Sequence, residues 1–178
     1  METVRKILTP LTGFSREIGF YLSAWEKTRA ELREIVSDLS EDELARRISP
    51  GAHQIGALIL HIGESEAAWI QERVGGKELG DEERKFVHWC DTTETDFALK
   101  GYSAQDCIER IDEISRRSRE ILREFTDDDL ERLFAYERDT GERIEVSLRW
   151  VLHQMIDHEA NHKGQISMMK RLLRETRN

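Results

Sequence analysis

Six histidines are the residues best equipped for chemistry: His53, His61, His88, His153, His158 and His162. His158 and His162 are spaced to stand one turn apart on one face of a helix. At ~100° per residue, Val151, Met155, His158, His162, Met169 and Leu173 fall within a sector of about 60°. Two imidazoles therefore sit in an apolar stripe. A buried imidazole is unfavourable unless its ring nitrogens find partners. A divalent metal provides them, and an i,i+4 histidine pair is a known way to bind one. Two core histidines hydrogen-bonded to backbone or water satisfy the same pattern.

His61 lies within Ala57-Leu-Ile-Leu-His61-Ile-Gly-Glu64, at the edge of an apolar face centred on Leu58, Ile62 and Trp69. Alone it reads as a boundary histidine. If its helix faces the one bearing His158 and His162, it becomes the third ligand. Three histidines and a water make an open site of the catalytic kind. His153 projects away from the pair, His53 sits at a helix start and His88 lies in a segment without clear periodicity. Asp157 and Glu159 flank the first histidine of the pair. Glu159 is either a group that orients an imidazole or a surface acid. No glycine-rich phosphate loop, HExxH, nucleophile elbow or paired-carboxylate motif appears. Cys90 and Cys107 form no CxxC or zinc-type framework and read as inert thiols in a reducing compartment.

Four long helices must position these histidines. The first is expected over 12–37, with Phe14, Ile18, Tyr21, Leu22, Trp25, Leu32, Ile35 and Val36 on one face. Ser40-Glu-Asp-Glu43 is a capping box that opens a short helix ended by Pro50-Gly51. The second long helix is expected over 53–74, stopping at Gly75-Gly76. The third starts near Ser103, with Asp106 as cap partner and Ile108, Ile111, Ile114, Ile121, Leu122 and Phe125 as its stripe. The fourth is expected over 145–174, after a turn at Asp139-Thr-Gly141. Residues 77–101 are polar and long, with Phe86, Val87, Trp89 and Phe97 as candidate anchors over the bundle. Such a connection is often a functional lid. Residues 32–46 and 118–132 align with one another, each the end of a long helix followed by a capped short one. The expected fold is all-α: one domain over 1–178, a four-helix bundle with a long crossover and pseudo-two-fold helix pairs.

The composition agrees. Of 178 residues, 38% are apolar and 35% charged, which suits amphipathic helices in one compact domain. A formal net charge of −9 argues against a nucleic-acid partner. No apolar run is long enough to span a bilayer and no signal peptide is evident, so no membrane partner and a cytoplasmic location are expected.

Two stretches carry a family resemblance. His158-Glu-Ala-Asn-His162-Lys-Gly-Gln165-Ile resembles the last-helix signature of the DinB/YfiT-like superfamily. Pro50-Gly-Ala-His-Gln-Ile-Gly-Ala-Leu-Ile-Leu-His61-Ile-Gly-Glu-Ser-Glu66 resembles its second helix, metal histidine included. Gln154 stands where relatives often carry a further histidine. The resemblance implies a four-helix bundle, often a homodimer, with a zinc- or nickel-type ion on His61, His158 and His162. It also implies a thiol S-transferase that conjugates a low-molecular-weight thiol (bacillithiol, mycothiol or glutathione) to an electrophile; for that activity the candidate groups around the ligands in this sequence are Glu159 and Gln165. A metal-dependent hydrolase and a non-catalytic metal-binding stress-response bundle are the alternatives.

Overall fold

A computed structural model describes residues 3–80, 102–138 and 140–175. The proposed lid falls mostly on 81–101, with His88 and Cys90, and lies outside the described residues, as does Asp139 of the expected turn.

Helix α1 spans Arg16–Val36. It starts later than its apolar stripe suggests, because Gly13 turns the chain with a positive φ of 85° and Ser15 takes an extended conformation. Its first free N–H groups are capped from far along the sequence. Asp127 accepts from the Glu17 amide at 2.9 Å, the Ile18 amide at 3.1 Å and the Ser15 hydroxyl at 2.6 Å. A carboxylate there also complements the helix dipole. Helix α2, Glu41–Ala45, opens on the expected capping box of Ser40 and Glu43.

Helix α3 covers Ile55–Glu66, and its wider continuation, Ala67–Val74, is π-helical. Every residue of α3 is buried, so it runs through the middle of the fold. Helix α4, Ala104–Leu122, starts on a full capping box of Ser103 and Asp106. A short 3-10 helix follows at Asp127–Glu131, capped through Asp129 on the Thr126 amide at 2.8 Å. The internal sequence repeat is thus a structural one: long helix, cap, short helix, twice.

The second copy then departs from the first. Strands β1, Leu133–Glu137, and β2, Arg143–Ser147, pair antiparallel with Phe134 opposite Val146. Only a turn was expected in this stretch, yet burial alternates along both strands as a hairpin requires. Because β2 takes residues up to Ser147, helix α5 begins at Leu148 rather than Glu145 and runs to Glu175.

The result is a four-helix bundle built from α1, α3, α4 and α5. No helix among the described residues is long and apolar enough to cross a membrane. Among the described residues its apolar core comes in two large clusters, with a small third one of Ala67, Ala68 and Leu79. One large cluster holds Leu32, Val36, Leu58, Ile62, Ile111 and Ile166; the other holds Leu22, Trp25, Ile70, Leu122, Val151 and Met155. On every long helix the two large clusters are separated by a buried polar position: Arg29 on α1, Glu66 on α3, Ser115 on α4 and Glu159 on α5. A polar layer crosses the bundle between two apolar ones.

Candidate metal centre

The histidines lie at the border of that layer. His61 is buried on α3; His158 and His162 are half-buried on α5. The structure brings all three together. His158 Nε2 lies 3.1 Å from His61 Nε2 and 3.1 Å from His162 Nε2. Two ligand nitrogens on a tetrahedral ion with bonds of ~2.0–2.1 Å stand about 3.3 Å apart. The observed separations are close to that.

Protonation sharpens the fit. His162 Nδ1 donates to Gln165 Oε1 at 2.8 Å. A neutral ring then has its Nε2 lone pair facing His158. A proton on His158 Nε2 can be donated fully to only one of its two neighbours, and without it the lone pairs of His158 and His162 oppose one another. Extra protons are disfavoured: burial, then His162 and His61, push the His158 imidazole down to about 3. Burial also lowers His162, against the pull of Gln165. Neutral imidazoles with converging lone pairs are the donor set a divalent cation takes. Among the described residues, no other histidine, cysteine or acid joins this group. Ser65, one turn along α3, places its hydroxyl 3.3 Å from His61 Nε2.

The remaining histidines behave differently. His153 is exposed on α5, away from the triad. His53 is held below its ordinary value by burial, Arg47 and His162, so it sits close enough to the triad to sense it.

Glu159 is neither of the things its sequence position suggested. It is neither a surface acid nor turned toward an imidazole. It is 1% exposed, and it rather than His158 continues the buried stripe of α5 from Met155 to Ile166. Its Oε1 accepts from Arg29 Nε at 2.6 Å; its Oε2 accepts from Arg29 Nη2 at 2.7 Å and from Trp25 Nε1 at 2.6 Å. Arg29 also donates to Glu66 at 3.0 Å and to Ser115 Oγ at 2.8 Å, and the Ser115 hydroxyl donates to Glu66 at 2.9 Å. One guanidinium thus ties four helices together. Burial raises the Glu66 carboxyl, against Arg29. Burial alone would lower Arg29, yet Glu159 and Glu66 outweigh it and raise it. A cavity of about 10 Å³ beside Glu66, Ser115 and Ser118 has room for roughly one water. Sequence reasoning missed Arg29: its place in the α1 stripe between Trp25 and Leu32 marks an interruption but does not say that the charge is buried.

Comparisons with known proteins follow the same lines. Residues 22–176 match the family described as Mycothiol-S-transferase. Among solved structures, a DinB-like protein from Bacillus cereus superposes with a TM-score of 0.63 at 22% identity, over 86% of this chain and 91% of that one. YfiT from Bacillus subtilis, described as a probable metal-dependent hydrolase with an unusual four-helix bundle topology, superposes with a TM-score of 0.61 at 18% identity, over 97% of this chain and 93% of its own. No curated protein matches the chain.

Proposed function

We propose, from the premise that this chain belongs to the Mycothiol-S-transferase family, that it is a divalent-metal-dependent thiol S-transferase whose ion is held by His61, His158 and His162. The observation that carries this reading is the convergence of three imidazoles from two helices, with His158 Nε2 3.1 Å from both His61 Nε2 and His162 Nε2 and all three ligand atoms within 4.8 Å of one another. A divalent ion bound there supplies the positive charge that favours a thiolate over a thiol at neutral pH. The reaction is conjugation of a low-molecular-weight thiol to an electrophile.

The chain's own residues contribute in separable ways. Gln165 holds His162 in the tautomer whose Nε2 is free to ligate. Burial of His158 keeps protons from competing for its lone pair. Ser65 reaches the His61 ring from one turn along α3. The reading takes zinc or nickel as the ion, one domain as the unit and a homodimer in the cytoplasm as the working form.

Metal analysis by mass spectrometry on untagged wild type and His158→Ala is the direct test. The expectation is about one zinc or nickel per wild-type chain and none in the variant, as loss of one ligand from a three-histidine site predicts. Metal-loaded wild type then consumes a chromogenic electrophile only when a thiol is present. The same donor set could serve a hydrolase, the activity ascribed to YfiT. Ester or amide turnover without thiol would decide for that reading, and wild type with no metal after incubation with either ion would end both.

A further inference from the structure

The polar layer has more structure than stability demands. It contains one cation and two carboxylates, all at most 2% exposed as side chains, between two large apolar clusters. Apolar packing is non-directional and leaves helices free to slide and rotate within limits. A buried polar group with fixed partners removes that freedom, as a single polar core residue fixes register in coiled coils. Here the partners are fixed in both respects. The Arg29 fork meets Glu159 through two nitrogens, which sets the rotation of α5 as well as its height. Trp25 Nε1 pins the same carboxylate from one turn earlier on α1. The other side of the guanidinium holds Glu66 on α3.

Each carboxylate is close in sequence to a histidine of the triad. Glu159 adjoins His158, and Glu66 follows His61 by five residues on the same helix. We infer that Arg29, Glu159 and Glu66 are positioning residues: they lock α3 and α5 in the one mutual register that brings His61 Nε2 to the His158 and His162 pair. A slip of about an ångström along either helix leaves the bundle apolar and packed, yet moves His61 Nε2 off the tetrahedral position that a shared ion with ~2 Å bonds requires beside His158 and His162. Neither carboxylate touches a ring, so the effect acts through the helices. The inference rests on the three histidines being the metal site.

Glu159→Gln tests it, because the amide keeps the side chain's shape and loses the charged fork. Arg29→Lys is the companion, keeping the charge and losing the two-pronged geometry. Zinc affinity is measured by competition with a chromophoric chelator. Cobalt(II) is added to follow ligand geometry by its visible absorption, and apo-protein stability is measured by urea. The expectation is zinc binding about 10–100-fold weaker with an altered cobalt spectrum, in folded protein, for both variants. Folded variants with wild-type zinc affinity and cobalt spectrum, whatever their urea midpoints, would overturn the inference and leave the layer a stability device. Should Glu159→Gln fail to fold, Arg29→Lys and Trp25→Phe give the same reading. Wild type that binds neither ion defeats the metal-site reading itself, and this inference with it. Wild type that binds while the variants bind equally well defeats the inference alone.

Discussion

A guanidinium and two carboxylates at the centre of four helices are expensive to desolvate, and their mutual attraction returns only part of that cost. Removing one partner is worse than keeping all, because it strands a charge. Arg29→Ala should therefore lower unfolding free energy by about 3–5 kcal/mol, read from urea denaturation of the apo protein. The combined replacement Arg29→Met, Glu66→Met and Glu159→Leu should recover most of that loss, since an apolar layer of similar volume can be as stable as a buried ion triad. Equal instability in both would mean that shape, not charge, is what the site requires. At this scale the histidine pair was legible from spacing alone, because helical periodicity places positions four apart together whatever surrounds them. Glu159 and Arg29 were not. Whether a charge is buried depends on what three other helices bring to it, and no local pattern encodes that. The His158 and His162 sector was read as mid-stripe, while the structure puts Glu159 there and the imidazoles beside it.

Two helix starts, those of α2 and α4, were legible for a local reason: a capping box closes within four residues. Ser40 with Glu43 and Ser103 with Asp106 both form their boxes. Glu43 does more than cap. The Ser40 amide, then Arg174 near the end of α5, hold its carboxyl at about 2, well under the ordinary 4.5. A carboxylate depressed on folding stabilises fully above its unfolded value and loses that contribution as pH falls through its folded one. Glu43→Gln should thus melt below wild type at pH 7, with the gap shrinking from about pH 4.5 toward pH 2. A gap that stays constant across the range would show that the glutamate acts by shape. The hairpin and the π-helical turn were illegible for opposite reasons. Five-residue strands carry too few alternations to stand out, although Phe134 and Val146 do alternate with polar neighbours. A π-turn changes the residues per turn without changing composition, and only its partners reveal it: Gln71 on that turn donates to the Ile114 carbonyl of α4 at 3.1 Å.

For the whole molecule, the repeat at 32–46 and 118–132 makes the two-fold plan visible in the sequence, because it pairs a long helix with a capped short one twice over. The structure adds how the halves are joined: Asp127 of the second half caps α1 of the first. Ligand linkage is the global test of the metal reading. Free zinc at about 100 times its dissociation constant should stabilise the fold by roughly 2.7 kcal/mol, or about 5–10 °C in melting temperature for a chain of this size. No shift at any zinc concentration would place the binding elsewhere than in the native state. His61 and His158 are 97 residues apart along the chain. An ion shared between them is a cross-link, closing a loop over half the polypeptide without a disulfide. The closure exists only while the native site is intact, so loading it would change how the chain comes apart: the two helix pairs would release each other more slowly, because the ion must leave before they part.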